Sequence, residues 1–379
     1  MVKGINLTLM IGPVVPIPAP AVVMDALTSV EVTTSDTGPS VFQLQFTLSN
    51  KSPLQALFLL SGGKPLLFVR VIIVATVNGT PDVLIDGVIT NHQIVPGQGG
   101  GSLTLSITGE DLTALMNQQD FSGFQFPAMS AEGRVALLIA KYAFLGIVPM
   151  VIPSVLVDVP IPTGNIPSQQ GTDLAYIKAL AEKVGYVFYL DPGPLPGMSK
   201  AYWGPQIKVG VPQPALNLDM DAHTNVEKLD FSFDNQKNKV PTVYIYNEET
   251  KATVTIPIPP ITPLNPPLGL IPPLPTSAGD LQPVSDDLSK YSVPRAIMIG
   301  IAKASQWAEA VTGKGSLDVT RYGRLLKARQ LVGVRGVGLA YEGLHYVTSV
   351  THSIKRGEYK QSFNLSRNGL ISTVRTVAA

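Results

Sequence analysis

The segment from Gly338 to Leu370, GLAYEGLHYVTSVTHSIKRGEYKQSFNLSRNGL, has the pattern of a long β-hairpin. In its second arm, residues that suit a buried face alternate with polar residues, as expected of a strand: Tyr359, Gln361, Phe363 and Leu365. Lys355-Arg356-Gly357 supplies the turn, because glycine takes the positive φ that tight reversals require. Arg367-Asn368-Gly369 then ends the sheet. The segment indicates a structural role.

Composition favours a mostly β protein with partners. The chain has 379 residues, enough for two or three domains with buried cores. Its 34 glycines and 33 prolines favour turns over long helices. Hydrophobic residues make up 45% and charged residues 15%, and the mean hydropathy of +0.23 indicates a surface that partners cover. The absence of cysteine excludes disulfides, thiolate metal sites and cysteine nucleophiles.

The apolar runs do not predict membrane insertion. The run at 66–77 contains Arg70, and the run at 135–157 contains Lys141 and two prolines, so neither matches a clean span of ~20 residues. The N-terminus superficially resembles a signal peptide, but prolines 13, 16, 18 and 20 interrupt its apolar region. We therefore expect no signal peptide and an edge strand leading into an extended arm.

Charge is distributed unevenly along the chain. From Arg321 onward ten Lys and Arg residues face two Glu residues, an excess of +8, although the net charge of the whole chain is only +1. Nucleic-acid contact is one explanation, but aromatic residues are not interleaved with the basic ones. Docking between protein subunits is the favoured interpretation.

Three regions follow from the pattern of hydrophobic residues and turns. Residues 1–108 contain five predicted strands joined by glycine-rich turns, which indicates a β-barrel or curled sheet. Residues 109–225 contain predicted helices at 110–116, 130–144 and 172–184 and form a small α/β insertion. Residues 226–379 return to strands, with a proline-rich loop at 257–275 and a helix at 294–311. The fold class is α+β, mostly β.

Candidate catalytic and ligand sites all have a simpler structural explanation. Gly313-Lys314-Gly315-Ser316 lacks the first glycine and the Ser or Thr of a phosphate-binding loop, and a helix C-cap explains it better. The alternating polar residues Asn217, Asp219, Asp221 and His223 could suggest a calcium loop, but the required Gly and Glu are replaced by Ala222 and Lys228. His345 and His352 have opposite parity, so without a bulge they face different ways. Adjacent acids at 110–111, 248–249 and 286–287 point apart if extended. We predict no catalytic, cofactor-binding or metal residue, no cofactor and no small-molecule substrate, and we leave the partner-interface residues unassigned.

Four segments together resemble the baseplate hub family of contractile tails, which includes the late control D proteins of phages and the hub portion of VgrG spikes. They are Gly109-Glu110-Asp111-Leu112-Thr113, Gln170 to Tyr186, Gly315 to Gly323, and Gly338 to Leu370. Each motif alone is moderately specific, and their order and spacing carry the resemblance.

The resemblance implies two tube-like β-barrel domains in one chain that assembles as a homotrimer. Six similar barrels would then form a ring that adapts a hexameric inner tube to a trimeric spike. Fused spikes continue into an OB-fold and a β-helix, whereas this sequence stops nine residues after Leu370, so we expect a separate spike protein. Other baseplate proteins are further expected partners. Assembly is expected in the bacterial cytoplasm, in a phage tail or phage-tail-like particle.

The sequence gives less support to two other function classes. A surface- or carbohydrate-binding β-protein requires exposed aromatic residues, and the chain has only Trp203 and Trp307, well separated in sequence. A wall-degrading enzyme requires a converging carboxylate pair that no spacing here indicates. A non-enzymatic structural protein is the favoured hypothesis.

Overall fold

The computed structural model describes residues 4–48, 68–96, 103–154, 166–234, 240–247, 252–258, 265–271, 281–284, 293–307, 309–374 and 377. Within these residues the protein is mostly β, as the composition predicts. One large sheet dominates, and smaller sheets and short helices pack around it.

Thirteen strands form the large sheet. Strands are numbered along the chain, and those of this sheet are β1 (Ile5–Gly12), β2 (Ile17–Pro18), β3 (Leu27–Ser35), β4 (Val41–Leu48), β5 (Arg70–Val77), β6 (Thr80–Pro96), β7 (Leu103–Asp111), β11 (Gln213–Asn217), β12 (Lys228–Phe233), β17 (Val311–Asp318), β18 (Leu331–Arg335), β19 (Gly343–Lys355) and β20 (Glu358–Arg367). Their spatial order is β12-β17-β20-β19-β3-β4-β7-β6-β5-β1-β2, and β18 also pairs with β19 and carries β11 on its other side.

The predicted hairpin is confirmed as β19 and β20, with Lys355 paired to Glu358 across a two-residue turn. Gly357 has a φ of +84°, the conformation for which glycine was expected. The predicted face of β20 is buried, as the alternation indicates. Tyr359, Phe363 and Leu365 join the main hydrophobic core.

The segment between β7 and β11 forms a smaller α/β unit. Its three-stranded sheet, in the order β8-β10-β9, contains β8 (Ile147–Val151), β9 (Val187–Pro192) and β10 (Ser199–Gly204). Its helices are α2 (Thr113–Met116), α3 (Ala131–Ala140) and α4 (Asp173–Val184). Thr172 caps α4 and Gly185 ends it in the left-handed conformation. A core of its own includes Trp203 and Ile177, both buried.

The remaining elements lie outside the large sheet and the three-stranded sheet of the α/β unit. They are α1 (Ala21–Ala26), β13 (Val240–Asn247), β14 (Ala252–Pro257), β15 (Gly269–Ile271), β16 (Leu281–Pro283), α5 (Val293–Trp307), α6 (Val319–Tyr322) and β21 (Leu370–Ser372), with 3-10 turns at Ala143–Leu145 and Asp221–His223. Strands β14, β13 and β16 form one small sheet, and β15 pairs with β21 in another.

Three local predictions are wrong. Helix α5 begins at 293 but ends at Trp307, and Gly313 and Gly315 lie inside β17 rather than at a helix C-cap. Asp111 ends β7, so the predicted helix begins later, at Thr113. The proline-rich stretch is not all loop, because its proline-free Gly269–Ile271 segment can donate backbone hydrogen bonds and forms β15. Residues 259–264 and 272–275 of that stretch lie outside the described residues.

The large sheet contains the same strand arrangement twice. In the first repeat the order is β3-β4-β7-β6-β5, and in the second it is β12-β17-β20-β19-β18, with every neighbouring pair antiparallel. In both repeats, the spatial order places the first, second, fifth, fourth and third strands of that repeat, counted along the chain, side by side. The flanking strands differ, because β1 runs antiparallel to β5 while β11 runs parallel to β18.

A shared irregularity aligns the two repeats residue by residue. The β6–β7 ladder skips Thr90, and the β19–β20 ladder skips Thr348. Each threonine hydroxyl donates to a backbone carbonyl across the ladder, Thr90 Oγ1 to Thr108 O at 3.3 Å and Thr348 Oγ1 to Asn364 O at 3.2 Å. A bulge at the same place in both hairpins supports a structural duplication.

Candidate functional site

The phosphate-loop candidate is part of a packed strand. A Cβ atom on Gly315 would lie 2.5 Å from the ring of Phe363, and one on Gly313 would lie 2.7 Å from the ring of Phe231. The two glycines therefore accommodate aromatic rings across the ladder, as often occurs on sheets. Their backbone amides belong to ladders with β12 and β20. The segment is structural.

Both candidate histidines are buried. The bulge at Thr348 lies between His345 and His352 and reverses the alternation, so both point into the protein despite their opposite parity. Burial lowers the pKa of His345 to about 3 and that of His352 to about 4, so both are neutral at pH 7. His352 Nδ1 lies 2.8 Å from the hydroxyl of Tyr359. These are core histidines.

The acidic candidates do not converge either. Asp111 is buried and accepts hydrogen bonds from the backbone N–H groups of Ser40 and Thr113, so it joins the end of β7 to the residue before β4. The acids at 248–249 and 286–287 lie outside the described residues. Asp219, Asp221 and His223 are exposed. Among the residues that the structure describes, no group of three or more His, Asp or Glu side chains could hold a metal ion.

Part of the basic C-terminal charge is internal. Arg367 is 1% exposed and donates to the backbone carbonyls of Gly369, Glu342 and Ala340. Arg329 is also buried and donates to Ser35 O and to Leu190 O, so it fixes β3 and β9 to the second repeat. The uneven charge of the sequence therefore overstates the basic surface.

The junction between the two repeats is a strand ladder within the large sheet. Strand β19 is long enough to have two partners on one side: β18 pairs with its first part, and β3 with Ser349 to Lys355. On one face of this junction Val30 and Val32 are buried in the core. On the other face the Thr33 and Thr351 hydroxyls lie 2.9 Å apart. The junction is apolar inside and hydrogen-bonded outside.

Several strand edges of the large sheet have no second partner within the described residues. Strands β2 and β11 are two of them, and β12 and the second part of β6 are two more. Strand β12 pairs with β17 on one side only. The second part of β6, from Asn91 to Pro96, pairs with β7 on one side and has no described partner on the other. Ile94 and Val95 on this part are 38% and 43% exposed. Open edges with apolar side chains are surfaces on which another strand can pair.

A further apolar edge lies on the α/β unit. Strand β8 is at the end of its sheet, and Val148 and Met150 on it are 48% and 45% exposed. Phe144, in the turn before it, is 65% exposed. Trp203, by contrast, is fully buried and offers no aromatic platform for a sugar. No described helix is long and apolar enough to cross a membrane.

No protein-family model matches this sequence, and no curated protein matches it significantly. Solved structures do match over almost the whole chain. A tail protein from Neisseria meningitidis MC58 is 15% identical with a TM-score of 0.62, over 97% of this chain and 98% of that one. The 43 kDa tail protein of prophage MuSo2 from Shewanella oneidensis is 14% identical with a TM-score of 0.63, over 96% and 98%.

A third match comes from a secretion system. The E. coli c3393 protein, a component of the type VI secretion system, is 13% identical with a TM-score of 0.51, over 93% of this chain and 75% of that one. At these identities the likeness concerns the fold. The chain has the fold shared by phage tail proteins and the tail-like components of type VI secretion systems.

Proposed function

We propose that this protein is a non-enzymatic baseplate hub of a phage tail or a phage-tail-like contractile injection system. The duplicated sheet carries the proposal, because three copies of a chain with two similar repeats present six similar units in a ring. Such a ring contacts a hexameric inner tube on one side and a trimeric spike on the other. The fold of tail proteins supports this role.

The partners follow from the same proposal. The tube and the spike bind the two ends of the ring. Residues 1–108 and 226–379 supply the two tube-like domains, and residues 109–225 supply the insertion between them. Other baseplate proteins dock on the outside, for which the exposed apolar edge of β8 is a candidate surface. Assembly takes place in the bacterial cytoplasm before the particle is complete.

Mass measurements on the purified protein test this function. Mass photometry and native mass spectrometry should show trimers of the 40.3 kDa chain, alone or after addition of the spike protein encoded beside it. Electron microscopy should then show the tube protein stacked on one end of the trimer. A chain that remains monomeric at micromolar concentration and ignores both tube and spike proteins would overturn the proposal.

A further inference from the structure

The open second part of β6 occupies the same place in the first repeat that the β3-binding part of β19 occupies in the second. Each follows the bulge, Thr90 in β6 and Thr348 in β19. Counting from the bulges, Gln93 corresponds to Thr351 and Ile94 to His352. In β19 this part pairs with β3, whereas in β6 the corresponding side has no described partner.

The open edge of β12 corresponds in the same way to β3. Thr108 and Asn364 are equivalent, since each pairs with the first residue after a bulge. Across the next ladders Thr108 pairs with Gln43, and Asn364 with Lys314. Gln43 in turn pairs with Glu31, and Lys314 with Asp230. Glu31 of β3 therefore corresponds to Asp230 of β12, and Thr33 to Ser232.

The positions on the two open edges are more exposed than their equivalents in the existing junction, as expected if a partner strand is missing. On the β3 side Val30 and Val32 are 2% and 0% exposed, whereas the equivalent Leu229 is 8% exposed and Phe231 is only half-buried. On the other strand His352 is 6% exposed and its equivalent Ile94 is 38% exposed. The two open edges are thus the two halves of a junction that the chain already forms once with itself.

We propose that β12 of one copy pairs antiparallel with the second part of β6 of the next copy, in the register that β3 and β19 show within the chain. The partner is a second copy of this chain, because its β12 has the strand position of β3. The paired residues are His92 with Phe233, Gln93 with Ser232, Ile94 with Phe231, Val95 with Asp230, and Pro96 with Leu229. This inference rests on the proposed function and assigns the residues that join the copies.

The chemistry of the two faces suits this register. Ile94 meets Phe231 on the apolar face, where Val32 and His352 meet in the existing junction. Gln93 meets Ser232 on the polar face, where the Thr33 and Thr351 hydroxyls are in contact. An amide and a hydroxyl can form the same kind of hydrogen bond. Cross-strand pairs of this type set register as well as affinity.

Disulfide mapping tests the register directly, because the chain has no cysteine of its own. Directly paired residues have Cα atoms about 4.5–5.5 Å apart, within disulfide range. Gln93→Cys combined with Ser232→Cys should give covalent dimers and closed trimers on non-reducing gels after mild oxidation. Thr33→Cys with Thr351→Cys is the positive control and should give a monomeric band with an internal disulfide. Gln93→Cys with Asp230→Cys is two residues out of register and should cross-link far less.

The outcomes separate this inference from the proposed function. Trimers by mass photometry that do not cross-link through Gln93→Cys and Ser232→Cys, while the positive control forms its disulfide, would overturn the register and leave the hub intact. Cross-linking that is stronger for the Asp230→Cys control would do the same. A monomer that shows no cross-link at any concentration would overturn both.

A surface substitution gives an independent readout. Ile94→Asp should convert trimers to monomers without lowering the thermal midpoint of the monomer, because Ile94 is exposed in the single chain. Val148→Asp is the matched control, since Val148 is similarly exposed on the edge of another sheet. It should leave the trimer unchanged. A trimer that tolerates Ile94→Asp with unchanged affinity would contradict the proposal.

Discussion

The two repeats of the large sheet share strand order, pairing and bulge, yet they stabilise equivalent positions with opposite chemistry. Arg70 and Asp86 form a buried ion pair in the first repeat, with Nε–Oδ1 and Nη2–Oδ2 distances of 2.7 and 2.6 Å. Counted from the bulge, the equivalent residues of the second repeat are Leu331 and Leu344, which pack in a small apolar cluster. The same pair of positions therefore accommodates either a buried ion pair or two leucines.

The buried ion pair also connects the first repeat to neighbouring segments. Arg70 donates to Leu145 O of the α/β unit at 2.8 Å and to Val14 O at 3.0 Å. A leucine cannot make these bonds. The backbone ladders therefore define the repeat, whereas the side chains at equivalent positions differ according to the neighbours that each repeat contacts.

Breaking the buried ion pair of Arg70 and Asp86 should destabilise the protein most. Arg70→Leu should lower the free energy of unfolding by about 3–5 kcal/mol, because Asp86 is then a buried charge without its partner. Arg70→Leu with Asp86→Leu copies the second repeat and should cost clearly less than the single change. Urea denaturation of the wild type and both variants measures this. A double variant less stable than Arg70→Leu would show that the leucine solution does not transfer.

Acid should weaken the second repeat more than the first. The folded pKa values of His345 and His352 lie below the ordinary value of 6.5, so between pH 6.5 and about 4 the unfolded chain binds more protons. The free energy of unfolding therefore falls as the pH is lowered through this range, by roughly 3 kcal/mol for each histidine. The equivalent residues of the first repeat, Gly87 and Ile94, do not titrate.

Urea denaturation at pH 7 and pH 4.5 shows whether the free energy of unfolding falls as the pH is lowered. In the His352→Gln variant this pH dependence should be weaker. Asp36 works in the opposite direction between pH 6 and 4, because burial, with the nearby charge of Glu309, raises its pKa to about 6. The difference between wild type and His352→Gln isolates the histidine. An unchanged pH dependence in this variant would count against its buried neutral state.

A smaller effect is expected from exchanging a large and a small residue. Phe42 pairs with Gly109 in the first repeat, and the equivalent residues of the second are Gly313 and Leu365. A Cβ on Gly109 would lie 2.3 Å from the Phe42 ring and 2.3 Å from the backbone oxygen of Val88, so Gly109→Leu should destabilise the protein by about 2 kcal/mol. Adding Phe42→Gly copies the second repeat and should recover part of this loss in thermal denaturation. No recovery would mean that the neighbours of this pair also differ.

The smallest effect concerns the junction between the repeats. Thr33→Val removes one hydroxyl of the pair with Thr351 and should cost about 0.5–1 kcal/mol. Thr33→Val with Thr351→Val should be nearly neutral, because no half-buried hydroxyl is left without its partner. Differential scanning calorimetry of the two variants compares them. Equal losses in both would assign the cost to packing instead.

Local structure was predictable from sequence wherever one strand or helix buries one face. The alternation in β20 is one example, and the predicted helix at 172–184, observed as α4, is another. Predictions failed where local chemistry was ambiguous. Gly313 resembles a helix cap in sequence. Its actual role is to leave space for the ring of Phe231, and this role is not visible locally because Phe231 lies on a strand far away in the chain.

The duplication was not predictable by the same reasoning. Residues such as Arg70 and Leu331 are equivalent only through hydrogen-bonded ladders, and their side chains share neither size nor charge. Both bulge residues are threonine, but threonine is common in strands, so it does not mark the bulges in the sequence. The candidate assembly edges depend on which strand lies beside which, so the sequence left the interface residues unassigned.

The ladder between β3 and β19 also determines the order in which the chain folds and assembles during synthesis. Its contacts join residues as far apart as Thr33 and Thr351, so a ribosome must make most of the chain before the junction can close. Until then, the edge of β3 on the nascent chain is as open as the edge of β12 on the finished one. Pairing with a complete neighbour at that stage would trap an unfinished chain. Because β19 is made late, β3 is covered only when the chain is nearly complete. Folding within one chain must therefore finish before the chains assemble.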